Sequence, residues 1–179
     1  FMTRRFDRTQ QGEKLHVQTV AALEHIDYNV PGRYSYEGVA DLARELGLGV
    51  TTTEELYRRM VFNVVARNQD DHVKNFAFTM DRGGQWRLSP AYDITWACKP
   101  GNRWLKAHQL SINGKRDDFT REDLYAFARA AGLKRGRDRT ILGEVSEAVR
   151  GWPQLADEIG VSPELRDAAA ASHRLGLVA

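Results

Sequence analysis

An apolar helix that runs straight into a cluster of charge limits what this chain can become more than any other stretch of it. Leu56, Met60, Val61, Val64 and Val65 recur at helical spacing, and Phe62 makes the segment apolar nearly all round towards its end. Such a helix is buried. At Arg67-Asn68 it hands the chain to Asn68-Gln69-Asp70-Asp71-His72-Val73-Lys74-Asn75-Phe76-Ala77-Phe78, with Leu88-Ser89-Pro90-Ala91-Tyr92-Asp93 further on. Charge at the end of a buried helix is costly unless it has partners, so the stretch reads as an active-site loop.

After the loop, Phe76, Phe78 and Met80 alternate with smaller or polar residues, Asp81-Arg82-Gly83-Gly84 supplies turn chemistry, and Trp86 and Leu88 alternate again. The pattern predicts a β-hairpin. Pro90 stops its second strand, and a hairpin that doubles back brings Tyr92-Asp93 beside the first loop. Asp70, Asn75 and Asp93 should therefore converge.

The rest reads as helical. Leu15, Thr19, Leu23 and Ile26 predict a helix over 15–26, which Asn29-Val30-Pro31-Gly32 breaks. Ser35 caps a helix over 36–46 with Gly47 at its end, and Thr52 with Glu55 forms a capping box for the buried helix. Leu110-Ser111-Ile112 reads as a short strand, and Thr120 with Asp123 caps a helix to Ala131. Further helices are expected over 137–150, 152–159 and 163–174, the last opened by Ser162 and Pro163. Residues 1–8 read as extended, with Phe6 apolar among charges.

With 179 residues and 42% apolar side chains, a single compact domain with a real core is expected. No eighteen-residue apolar run spans a bilayer and no leader is legible. The lone Cys98 excludes an internal disulfide framework and a cysteine zinc site, which makes the cytoplasm the expected compartment. A net charge of +2 implies neither a nucleic-acid nor a membrane partner. The chain opens without an initiator Met, which reads as a piece of a longer protein.

An Asp to accept a hydroxyl proton, an Asn five residues later and an Asp beyond a hairpin are the parts that phosphoryl transfer to a hydroxyl uses. Mg²⁺ takes hard oxygen ligands, which Asn75 and Asp93 offer beside nucleotide phosphates, and Asp70 is left to orient the hydroxyl. Asp-x4-Asn also recurs by chance, and Asp and Asn in such loops commonly serve turn geometry. The combination of buried helix, hairpin and later Asp decides for chemistry. Asp71 reads as structural or solvent-exposed, Lys74 as more structural than catalytic, and His72 as a donor to the phosphoryl group.

Three runs together resemble the C-terminal region of HipA-type serine/threonine kinases, the toxin kinases of toxin–antitoxin modules: Asn68 to Phe78, Leu88 to Asp93 and Arg5-Phe6-Asp7-Arg8. They stand in family order, and the resemblance extends from residue 3 to about 152. It implies a mainly α-helical kinase C-lobe, related to the phosphoinositide-kinase-like group, whose one β-hairpin carries the metal-binding loops. Asp70 would be the catalytic base, His72 a catalytic and phosphate-side contact, and Asn75 and Asp93 the Mg²⁺ ligands. Residues 1–8 would be the hinge, with Arg4 and Phe6 meeting the adenine of ATP, and 9–179 the helical lobe. A protein substrate and a DNA-binding antitoxin partner are implied, without direct nucleic-acid binding or a membrane.

One departure matters. A kinase needs an N-lobe that covers the phosphates, yet neither G-x-G-x-x-G nor G-x-x-x-x-G-K-[ST] occurs, and Gly114-Lys115 lacks its partner glycine. The N-lobe is expected to be missing and the fragment alone inactive. Two rivals remain: a two-metal phosphohydrolase using Asp70, Asp71, His72 and Asp93, and a DNA-binding helix-turn-helix within 124–145 beside the basic run 134–139. The other histidines, His16, His25, His108 and His173, read as ordinary surface or partly buried side chains. Trp86 and Trp152 read as core, and Trp96 and Trp104 as walls of a cleft.

Overall fold

A computed structural model describes residues 3–177. The buried helix of the sequence is α3, after β1 (His16–Thr19), α1 (Val20–Leu23) and α2 (Tyr36–Glu45). It runs Val50–Val65 and packs against helices on several sides. Leu56, Met60, Val61, Val64 and Val65 are each at most 1% exposed. Each such side chain contributes about 1.5–3 kcal/mol on burial, which outweighs any defect in the way the helix starts. It does start weakly: Gly49 is its N-cap and offers no side-chain bond. The expected Thr52–Glu55 capping box lies inside the first turns instead. Glu55 pairs with Arg59 at 2.8 Å, an alternative open to it once Val50 has extended the helix backwards.

The hairpin forms as β2 (Ala77–Met80) and β3 (Trp86–Leu88), in antiparallel register with Phe78 opposite Leu88. Asp81 Oδ1 accepts from the backbone N–H groups of Gly83 and Gln85, and Gly84 takes φ +80° to close the turn. The hairpin is not alone. β1 pairs antiparallel with the other edge of β2, His16 opposite Met80 and Thr19 opposite Ala77, to give a three-stranded sheet in the order β1-β2-β3. The helix expected over 15–26 is thus half strand and shrinks to one turn, α1. Helical spacing is present there, but β-branched Val17 and Thr19 suit a strand, and the open edge of β2 supplies the backbone partners.

The remaining helices are α4 (Arg121–Ala130), α5 (Arg137–Arg150), α6 (Trp152–Glu158) and α7 (Pro163–Ser172), followed by a 3₁₀ turn at Leu175–Leu177. Ser35, Thr120 and Ser162 cap α2, α4 and α7 as expected, and Thr120 and Asp123 make a complete capping box. Residues 110–112 form isolated bridges, Ser111 to Ser35 and Ile112 to Lys115, rather than a strand. The opening segment is likewise a loop with one bridge, Arg8 to Lys14; its first two residues lie outside the described residues.

α4 and α5 turn Leu124, Phe127, Ile141 and Leu142 into the core, where Phe127 stacks on Tyr57 at 5.9 Å. In the basic run, Arg137 is tied to Glu54 of α3 at 2.9 Å. Trp86 packs against the core, and the Trp152 indole donates to the carbonyl of Arg166. No helix among the described residues is long and apolar enough to cross a membrane.

Candidate active site

The loop begins where α3 ends. Arg67 takes φ +60°, a left-handed conformation a bulky side chain seldom adopts, and so turns the chain sharply out of the helix. From there the backbone of 67–69 pairs with the segment beyond Asp93. Gln69 N–H donates to the carbonyl of Ala97 at 2.9 Å, and Ala97 N–H to the carbonyl of Arg67 at 3.2 Å. At the other end, the Tyr92 hydroxyl donates to the carbonyl of Lys74 at 2.5 Å. Burial, with the Asp93 charge adding to it, pushes the Tyr92 phenol up to about 12, so it remains a donor. The two loops are thereby fastened at both ends, with Asp70, His72 and Asn75 on one and Asp93 on the other.

Between the fastenings, polar side chains are left unpaired. Asn75 Nδ2 donates to the Asp70 carbonyl at 2.9 Å, which fixes the turn and leaves Asn75 Oδ1 without a donor among the described residues. Among the described residues neither Asp70 nor Asp93 has a hydrogen bond to its carboxylate; His72 Nε2 stands 4.0 Å from Asp70 Oδ1. Asp93 is exposed and takes φ +53°, which Asp tolerates better than most residues. Phe6 of the opening segment packs on Tyr92, ring centroids 5.4 Å apart, next door to Asp93. Arg4 is exposed. Asp7, next to Phe6, is bonded by Arg5 and Arg8, and the Arg5 bond above all holds its carboxyl down to about 2.

Asp71 has the opposite fate. It is fully buried, not exposed, and accepts from Tyr36 Oη at 2.6 Å, from His108 Nδ1 at 2.8 Å and from Gln109 N–H at 2.7 Å. Burial works to raise its pKa, but His108, Tyr36 and the Gln109 amide together hold it below the usual carboxylate range. The network continues through Asn63, which donates to Tyr36 Oη, to Asn68, which donates to Asn63 Oδ1, both at 2.9 Å. This is the floor of the loop. His108 belongs to it with no solvent exposure, contrary to the surface or partly buried role expected of it. Its partner lies 37 residues away in sequence, so no spacing announces the pair.

Lys74 stands over the ring of Tyr28, 4.0 Å from its centroid, and pairs with no acid among the described residues. Trp96 donates to Ser172 of α7, and Trp104 gives its carbonyl to Gln109, so both stiffen the loop after Asp93. Lys115 pairs with Asp123 at 2.8 Å, a structural bond and not a phosphate contact. No three His, Cys, Asp or Glu side chains among the described residues gather as a metal-binding group, which leaves the two-metal hydrolase without its ligand cluster.

Comparison with known proteins bears on the same residues. A "Putative kinase Y4dM" of Sinorhizobium fredii is 32% identical over 95 residues, covering 51% of this chain and 22% of that protein. A "Putative kinase" of Haemophilus influenzae is 27% identical over 102 residues, covering 52% of this chain and 30% of that protein. The chain therefore spans less than a third of either relative. A structure of Shewanella oneidensis HipA, solved with HipB and operator DNA, superposes with a TM-score of 0.70 at 23% identity, over 97% of this chain and 46% of that one. The mainly helical fold with its small antiparallel sheet is thus the HipA fold. The family model for the HipA-like C-terminal domain matches residues 1–152, and the chain belongs to that family.

Proposed function

We propose that this chain is the catalytic lobe of a HipA-like serine/threonine protein kinase, the toxin of a toxin–antitoxin module, transferring the γ-phosphate of ATP to a protein hydroxyl. The observation that carries the reading is the pair of loops fastened to each other at both ends, with Asp70, Asn75 Oδ1 and Asp93 on them left without hydrogen-bond partners among the described residues. In a chain that pairs its other loop acid, Asp71, three times over, unpaired oxygens gathered by dedicated backbone bonds point to ligands from outside.

The donor set fits Mg²⁺, because a carboxamide oxygen and a carboxylate are hard ligands. Asn75 and Asp93 would hold the ion, which when bound neutralises phosphate charge. Asp70 accepts the proton of the substrate hydroxyl, a role that suits an unpaired and half-exposed carboxylate. His72 Nε2, on the same side, donates to the phosphoryl oxygens. Phe6, seated on Tyr92, and the neighbouring backbone from Arg4 form the adenine-side contact. A phosphate-covering lysine is assigned to an N-lobe, since no glycine-rich phosphate loop occurs in the 179 residues. The Shewanella HipA structure, which holds HipB and operator DNA, supports a DNA-binding antitoxin as this protein's partner.

The test is phosphoryl transfer from radiolabelled ATP by the chain alone and joined to the N-lobe of a relative. The joined protein should transfer phosphate with Mg²⁺, and Asp70→Asn and Asp93→Asn should each cost on the order of 100-fold or more. The chain alone should transfer hardly any. Unchanged activity in both variants overturns the assignment.

A further inference from the structure

The loop's own hydrogen bonds do not fix the orientation of the His72 side chain. Its Nδ1 is buried without a hydrogen-bond partner among the described residues, and its Nε2 stands 4.0 Å from Asp70 Oδ1, beyond hydrogen-bond reach. The aromatic contact on the imidazole comes from Tyr28, edge to face, with ring centroids 5.6 Å apart and planes at 64°. The same phenol ring carries the Lys74 ammonium 4.0 Å from its centroid. One side chain thus touches the residues on either side of Val73. Ring–ring and cation–ring contacts are weak at exposed positions, yet here they act on groups with no stronger bond to obey.

Tyr28 is 40% exposed, so its own burial does not hold it in place. The strap that carries it does. At the near end, Val20 N–H donates to the Phe76 carbonyl at 2.9 Å and Ala21 N–H to the Val73 carbonyl at 3.1 Å, joining α1 to the active loop itself. In the middle, Asp27 Oδ1 accepts from the Asn29 backbone and side chain, both at 2.9 Å. At the far end, Gly32 N–H donates to the Gln109 carbonyl at 2.8 Å, and Gln109 is the residue whose own N–H binds Asp71. Gly32 takes φ +76°, and a Cβ there would lie 2.6 Å from Arg116 Cδ, so a glycine is needed at this anchor. The strap is therefore built on the same floor as the loop it overlies.

The geometry points to Tyr28 as a positioning residue of the phosphoryl-transfer site: its ring aims the His72 imidazole beside Asp70 and holds the Lys74 ammonium above the loop. The role in transfer rests on the kinase reading; the orienting contact does not. Among the described residues Tyr28 makes no hydrogen bond or ring contact with Asn75 or Asp93, so it acts on the site through His72 and Lys74.

Two measurements test this. In NMR spectra of the 179-residue chain, Tyr28→Leu should move the Lys74 Hε and His72 ring-proton signals towards their free-solution positions, while Tyr28→Phe, which keeps the ring, should leave them. In the N-lobe-joined protein, Tyr28→Leu should lower kcat by on the order of 10-fold, and Tyr28→Phe, which keeps the ring, should hold the wild-type rate. Signals that stay in place in Tyr28→Leu overturn the proposal, as do signals that move while kcat holds. Signals that respond as expected in a protein whose wild type transfers no phosphate support the orienting contact and sink the kinase reading instead.

Discussion

Asp71 has no solvent exposure and accepts three hydrogen bonds, while Asp70, one residue earlier, keeps 44% of its side chain exposed and accepts none on its carboxylate. Asp71→Asn should destabilise the chain by about 3–5 kcal/mol in urea unfolding, because it leaves Tyr36, His108 and the Gln109 amide competing for a poorer acceptor. The pH dependence follows from the depressed carboxyl. A carboxylate whose folded pKa lies below its unfolded value stabilises the fold above about pH 4, and that contribution is lost as pH falls through the folded value. Wild-type stability should therefore decline below about pH 4, and the Asn variant should decline less steeply. The sequence separated these two acids only halfway. The charged loop was legible because polar residues directly follow an apolar helix, where charge calls for partners, but whether Asp71 was buried or exposed was not. Which partner was not legible, since His108 and Tyr36 arrive from distant segments.

At the level of elements, the caps decide how sharply each helix is defined. Asp123 receives bonds at 2.8 Å from Thr120 N–H, Thr120 Oγ1, Lys115 and Asn113, and so fastens the start of α4 to the 113–115 turn. Asp123→Ala should cost about 1–2 kcal/mol, read as a lower urea midpoint. Gly49 is the converse, a cap with open space around a would-be Cβ, and Gly49→Ser should gain a few tenths of a kcal/mol in the same assay. Helices with a cap in the sequence, α2, α4 and α7, come out near their expected bounds, and so do α5 and α6 without one. β1 did not, because strand or helix was settled there by the free edge of β2, which no local window contains. The Thr52–Glu55 pattern failed for a related reason: a motif that satisfies a cap does not oblige the helix to begin there.

Across the whole molecule, what stabilises and what reacts are separable. The core joins α3 to its flanking helices and the sheet, the Asp71 network ties that core to the loop, and the Asp70 and Asp93 carboxylates accept no hydrogen bond among the described residues. Asp70→Asn and Asp93→Asn should thus leave stability within about 0.5 kcal/mol of wild type in calorimetry, even as they abolish transfer. Asn also tolerates the left-handed backbone at position 93, so the swap tests charge and not geometry. That the segment after the hairpin returns beside the first loop was foreseeable from a hairpin that doubles back. The bonds that enforce it, Gln69 with Ala97 and Tyr92 with Lys74, were not, because backbone carbonyls carry no sequence signature.

Those bonds also set what the hairpin is free to become. The segments that hold Asp70, Asn75 and Asp93 are sewn together below the strands, so the span between them does not depend on how far β2 and β3 run outward. The exposed tip at Asp81–Gly84 is accordingly a place where a descendant of this chain could acquire extra residues and a new contact while its site keeps the same dimensions.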